Sequence, residues 1–155
     1  MGFLRMAGAV GFALSVLGSS PALADTSRSD LQVVRMDPDA TTPGGLTTVH
    51  AFVANRGPDR TASPFTVVVT LPDGAVPEGP FFPANCRLFP AQSRVRCTFP
   101  AGLAPLRTAT ALIPVRIDAG VEAPATLSGG RVEVRSRDDG NPADNCQPFD
   151  IRVGL

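Results

Sequence analysis

The chain has no Lys, no Trp and no Tyr, and only one His and three Cys among 155 residues. Each shortage removes a class of function. Without Trp or Tyr the aromatic platforms on which sugars or unpaired bases stack are missing, and Phe alone supplies aromatic surface. With a single His, any Ser-His-Asp or Cys-His arrangement has to pass through His50. Period-two alternation sets His50 opposite Val49 and Ala51, on the outer face of a strand and away from a turn where a cleft would form. No Gly-rich phosphate loop, no His-containing metal signature and no second Cys pair for zinc occurs. These shortages together predict a protein that is not an enzyme. An excess of charge of either sign is also absent: 14 basic residues, all Arg, balance 14 acids, so no net field recruits nucleic acid or an anionic membrane.

Long apolar runs are confined to the start. MGFLRM carries one Arg, AGAVGFALSVL is apolar but short, and GSSPALA ends in the small-x-small pattern Ala22-Leu23-Ala24. Charged, apolar and small-residue regions in that order predict a signal peptide over residues 1–24, cleaved between Ala24 and Asp25. Neither a Cys at the cleavage point nor a twin-Arg pair is present, which favours release by the general secretory route. Beyond Ala24 no segment approaches the roughly 20 apolar residues of a membrane span. The expected location is therefore secreted, extracellular or associated with the cell envelope. Residues 25–30 read as a short linker and residues 31–155 as one domain.

What the chain has in plenty is turns, with 15 Gly and 16 Pro. Between them lie alternating apolar runs. LQVVRM (Leu31 to Met36) and LTTVHAFVAN (Leu46 to Asn55) predict two strands, the second with Val49, Ala51 and Val53 on one face. Asn-Arg-Gly-Pro-Asp breaks that strand through a permissive Gly and a Pro without a donor. PFTVVVTLP follows, with Phe65, Val67, Val69 and Leu71 inward. TATALIPVRI sends Ala111, Ile113, Val115 and Ile117 inward, and Pro114 points to an edge position or a bulge. RVEV and QPFDIRVG close the series, with Val132, Val134, Phe149, Ile151 and Val153 as core. No run has sustained helical spacing. Strands separated by Pro- and Gly-rich turns predict an all-β fold, an antiparallel immunoglobulin-like β-sandwich of about seven strands.

Three cysteines in an exported chain allow one internal bridge and leave one thiol over. Cys86 and Cys97 frame NCRLFPAQSRVRC, two extended arms around a turn, and are the favoured disulfide; pairings through Cys146 stay open. Cys146 then reads either as a small buried apolar residue or as a thiol that links two chains into a dimer. The densest oxygen-rich stretch is DDGNPADN, where Asp138, Asp139, Asn141 and Asp144 are the candidate ligands for calcium. An Asx-rich turn that satisfies its own backbone is the other reading of the same residues. Arg94, Arg96, Arg131, Arg135 and Arg137 read as solvated faces.

The order DLQVV, PGG, VHAFVANRGP, FTVVVTLPDG, a Cys pair, TATALIPVRI and VEVRSRDDGNPADN resembles the conserved-repeat Ig-like domain of bacterial surface proteins. That family is domain of unknown function eleven, with the cell-adhesion-related bacterial domain as a near relative. The most specific pieces are Asn55-Arg56-Gly57-Pro58, Leu71-Pro72-Asp73-Gly74 and Asn141-Pro142-Ala143-Asp144-Asn145, and the likeness runs from about Asp30 to Val153. Related repeats carry the same paired Cys arrangement. Family members usually form tandem arrays, whereas this chain holds one copy. The resemblance implies an exterior Ig-like module and carries no catalytic residue over. The expected function is a secreted, non-enzymatic module for structural or adhesive interaction with a protein or cell-wall component. The alternative is an accessory ligand- or calcium-binding domain that uses the turn at 138–145.

Overall fold

The computed structural model describes residues 26–155; the expected signal peptide and the expected cleavage between Ala24 and Asp25 lie outside the described residues. Among the described residues nine strands follow one another: β1 (Leu31–Val34), β2 (Leu46–Asn55), β3 (Phe65–Thr70), β4 (Ala75–Pro77), β5 (Arg87–Phe89), β6 (Arg94–Phe99), β7 (Thr108–Ile117), β8 (Ala125–Arg135) and β9 (Cys146–Val153). They form two antiparallel sheets, ordered β1-β2-β7-β4 and β5-β6-β3-β8-β9. The fold is an all-β Ig-like sandwich. Its count exceeds seven because β4 and β5 are three-residue edge strands, too short for an alternation pattern to reveal.

The core forms from the inward phase of each strand. Val49, Ala51, Val53, Phe65, Val67, Val69, Leu71, Ala111, Ile113, Val115, Ile117, Val132, Val134, Phe149, Ile151 and Val153 all belong to one buried cluster. Each large side chain removed from water in this way contributes about 1.5–3 kcal/mol. Phe65 of this cluster stacks on the half-buried Phe99 at 5.2 Å between ring centres.

Pro114 is placed otherwise than expected, because β7 is an inner strand between β2 and β4. Its carbonyl accepts from the Glu78 N–H at 2.9 Å, so the proline nitrogen faces the same flank, just beyond the last β4 pair, Pro77 with Val115. A missing donor costs no ladder bond there. β1 stops at Val34, two residues before the expected end. The following segment crosses to the outer edge of β9, where Asp37 accepts from the Asp150 N–H, Thr41 N–H donates to the Arg152 carbonyl and Gly154 N–H donates to the Thr41 carbonyl. With Pro148 in its first half, β9 is thereby closed to further strand pairing.

β8 begins at Ala125, six residues before RVEV, and contains a register shift between Leu127 and Gly130. Gly129 sits at φ 101°, and Gly130 lies under the Phe149 ring. A Cβ at Gly130 would stand 2.5 Å from Phe149 Cε2. Gly130→Ala is therefore expected to destabilise the fold by about 2 kcal/mol through overpacking. In a Phe149→Leu background, denaturant titration should show a clearly smaller cost. Equal costs in both backgrounds would mean that the ring is not what excludes the methyl group.

Cys86 and Cys97 are joined by a disulfide with Cα atoms 4.0 Å apart. The two cysteines follow the Arg87–Arg96 pair in register, so the bridge ties the short edge strand β5 to β6. Cys97 is fully buried beside Val67.

Candidate functional site

One end of the sandwich gathers the polar groups that the core rejects. β2 ends at Asn55, which is fully buried. Its Oδ1 accepts from the N–H groups of Asp30 (3.3 Å) and Gly57 (3.1 Å), and its Nδ2 donates to the carbonyls of Asp59 (2.8 Å) and Leu103 (2.9 Å). One amide thus pins three segments that are distant in sequence. The close approach needs Gly57: a Cβ there would overlap the Arg28 carbonyl and stand 2.6 Å from the Asp30 nitrogen. Thr61, also buried, accepts through Oγ1 from the N–H groups of Gly102 and Leu103, both at 3.0 Å. Residues 26–30, expected as a linker, instead dock here, with Ser29 buried and donating to the Asp138 carbonyl at 3.2 Å.

The acidic turn closes the same end. Asp138 accepts from the N–H groups of Ala62 (2.7 Å) and Ser63 (2.6 Å) and from the Ser63 hydroxyl (2.9 Å). Asp139 accepts from the N–H of Leu31 through one oxygen and of Asn141 through the other. Both carboxylates are engaged in holding loops together. Among the described residues no three His, Cys, Asp or Glu side chains converge closely enough to hold a metal ion. Three buried oxygens lack a protein hydrogen-bond partner nonetheless: Oδ1 of Asp30, of Asp144 and of Asn145. Arg28, Asp30, Arg56, Arg137, Asp139 and Asn141 line a cleft of about 530 Å³ at this end.

Burial, followed by the charges of Asp144 and Asp139, raises the Asp30 carboxyl above its ordinary range. Above the folded-state pKa this aspartate is ionised in both states, and the native state carries the penalty. As pH falls through that value the folded chain takes up the proton first, and the penalty is gone once the ordinary carboxyl value is passed. Asp30→Asn should therefore raise the melting temperature at neutral pH, with the gain shrinking as pH falls towards 3.8. A gain unchanged across that window would remove the electrostatic cause. Asp59 shifts the opposite way, held below its ordinary range first by the Arg28 backbone N–H and then by the Arg28 side chain.

The other sequence-derived candidates disperse. His50 is half-buried on the outer face of β2, as expected, with its ring 6.0 Å from that of Phe52. Among the described residues it has no hydrogen-bonded acid or nucleophile. Cys146 is free and exposed at the start of β9, which corrects the reading of it as a small buried residue: its strand phase puts it on the outer face, opposite Glu133. Arg94, Arg96, Arg131 and Arg135 share the outer face of the five-stranded sheet, while Arg137 belongs to the cleft. Sequence reasoning missed Asn55, Ser29 and Thr61. An Asn that closes a strand two residues before Gly-Pro was the available signal for the first, since such an amide binds nearby backbone; Ser29 and Thr61 had none.

No protein-family model matches this chain, so the resemblance to the conserved-repeat domain has no support from that comparison, and no curated protein matches it. Solved structures do. The major pilin subunit BcpA of Bacillus cereus superposes with a TM-score of 0.56 at 11% identity, over 83% of this chain and 39% of the pilin. This chain thus spans well under two thirds of the pilin's length. The third cohesin of ScaC from Acetivibrio cellulolyticus, in complex with the ScaB dockerin, superposes with a TM-score of 0.52 at 13% identity, over 81% of this chain and 99% of the cohesin. These similarities establish the shared sandwich architecture.

Proposed function

We propose that the protein is an exported, non-enzymatic Ig-like module that makes structural or adhesive contacts at the cell surface or in the cell envelope. The observation that carries this reading is the sandwich shared, over more than four-fifths of the chain, with a pilin subunit and a cohesin. Asn55, Thr61 and Asp138 at the loop end support it, because their hydrogen bonds hold distant segments together. The leader over residues 1–24 supplies the route out, and the Cys86–Cys97 bridge suits an oxidising compartment. Fractionation of the producing cells tests the reading: mature chain beginning at Asp25 should be recovered with envelope or medium, and washed envelope should retain purified protein. Recovery in the cytoplasm with Met1 retained would overturn it. The exposed Cys146 belongs to the same reading as a link between chains, seen as a dimer on non-reducing gels that disappears in Cys146→Ser.

A second reading, calcium at the acidic turn, is favoured by the unpartnered buried oxygens of Asp30, Asp144 and Asn145. It requires that millimolar calcium raise the melting temperature and that a chelator reverse the shift. An unchanged melting temperature would remove it.

A further inference from the structure

The outer face of the five-stranded sheet collects positive charge that the neutral composition conceals. Register places Arg87, Arg96, Val68, Glu133 and Cys146 in one row across the strands, and Phe89, Arg94, Thr70, Arg131 and Pro148 in the next. Thr98, Thr66 and Arg135 form a third. Within these rows five arginines stand with one acid, Glu133, while Asp150 and Arg152 follow on the same face farther along β9, in a chain with 14 charges of each sign. Glu133 is claimed by Arg135 at 2.7 Å. That hydrogen bond, with the nearby charges of Arg135, Arg131 and Arg94, holds Glu133 below the usual carboxylate range. Among the described residues, Arg87, Arg94, Arg96 and Arg131 have no carboxylate at ion-pair distance, and Arg94 Nε is buried without any hydrogen-bond partner.

Strand order sets two rows of arginines on this face with β3 between them, a trough in layout whose central residue, Val68, is covered by its neighbours. Its floor is β3, with Thr66, Val68 and Thr70 outward. Arg94 and Arg96 rise from β6 on one side, and Arg131 and Arg135 from β8 on the other. Two strand spacings separate these rails by roughly 10 Å at the backbone, and successive arginines along β6 stand about 7 Å apart. A single extended chain can run along the face with one row of arginines on either side. Guanidinium groups on both sides match acidic groups along such a chain, each able to bind one in a fork geometry.

We propose that this trough binds a linear acidic polysaccharide, its carboxylates engaged by Arg94 and Arg96 on one side and Arg131 on the other. The inference rests on the adhesive reading and names its ligand. A protein partner would need an apolar anchor at the centre of the patch; Val68 is only 3% exposed, and Phe89 lies at the edge with the Arg96 guanidinium 5.3 Å above its ring. A single-stranded nucleic acid is held by base stacking as well as by its phosphates, and the chain has neither Trp nor Tyr, whereas an acidic polysaccharide can be held through its carboxylates without a stacking platform. Carboxylates repeated along a polymer require only the charge and spacing that the trough presents, and they gain from the release of counterions.

Polygalacturonate is the probe, titrated into the mature protein, with neutral dextran, poly-glutamate and a single-stranded oligonucleotide as comparators. Binding to polygalacturonate should weaken steeply with added salt, and dextran should not bind. Arg94→Gln combined with Arg131→Gln should weaken binding by about tenfold, the scale of two exposed charge contacts, at an unchanged melting temperature. Thr70→Glu, which puts a carboxylate on the trough floor, should abolish it, whereas Arg116→Gln, on the outer face of the four-stranded sheet, should leave it intact. No binding at low salt, or binding indifferent to the Arg94, Arg131 and Thr70 changes, overturns the proposal. Tighter binding of poly-glutamate or of the oligonucleotide overturns the ligand class. Envelope retention without polygalacturonate binding defeats this inference and leaves the adhesive reading; polygalacturonate binding by a protein found only in the cytoplasm defeats that reading and leaves the trough.

Discussion

Asn55→Asp is expected to lower the unfolding free energy by about 4 kcal/mol, among the largest effects of any single-atom-scale change in the molecule. The native amide donates two hydrogen bonds, to the carbonyls of Asp59 and Leu103, and accepts two. A carboxylate keeps the accepting half. It leaves both carbonyls without a donor, sets an acceptor against them, and places a charge where the side chain is fully buried. Urea titration reads the loss directly. Hydrogen exchange should rise at the N–H groups of Asp30 and Gly57 and at Leu103, because the Asn55 side chain bonds to all three segments. Acid should recover part of the lost stability, since a protonated carboxyl can again donate to one carbonyl. Stability within 1 kcal/mol of the unaltered protein would show that Thr61, Ser29 and Asp138 hold the loop end without Asn55.

The second large effect concerns the bridge. Replacing Cys86 and Cys97 together by Ala should cost about 3 kcal/mol on the chain-entropy account, and about 10 °C in melting temperature for a domain of this size. β5 should respond first. It has three exposed residues, pairs only with β6 and has no strand on its outer side, so little besides the bridge restrains it. Exchange protection should be lost there before the core of β3 and β8 is affected. The expected intermediate is a sandwich with its central strands intact and its first edge strand loose. Its trough would keep Arg94, Arg96 and Arg131 and lose Arg87. Simultaneous loss of protection throughout the five-stranded sheet would mean that the bridge holds the whole sheet and not its edge.

How much of this could be read from the sequence differs sharply between strands. β2, β3 and β7 were legible because their apolar residues keep strict phase over six or more positions, which one buried face imposes on any strand. The early part of β8 was hidden: Gly129 and Gly130 interrupt ATLSGGRVEVR, and the reason for Gly130 is the Phe149 ring, contributed by a strand some twenty residues later. β1 ended early because the segment after it finds better partners on β9 than on β2. The acidic turn was recognised as a dense set of oxygens, but what those oxygens bind depended on Ala62 and Ser63, some 75 residues away.

Period, composition and turn chemistry thus determined by themselves that the chain is all-β, which face of each long strand is buried, and that Cys86 and Cys97 flank a reversal able to join them. They could do so because these properties depend on neighbours no more than 11 residues apart. Tertiary structure alone decided which strands lie side by side. Alternation assigned Arg94, Arg96, Arg131 and Arg135 to outer faces, yet only the placement of β3 between β6 and β8 makes those faces one basic trough. Only the convergence of three loops turns Asn55 from a turn residue into the pin of the loop end. Strand order is set by contacts between distant segments, and no local pattern carries it.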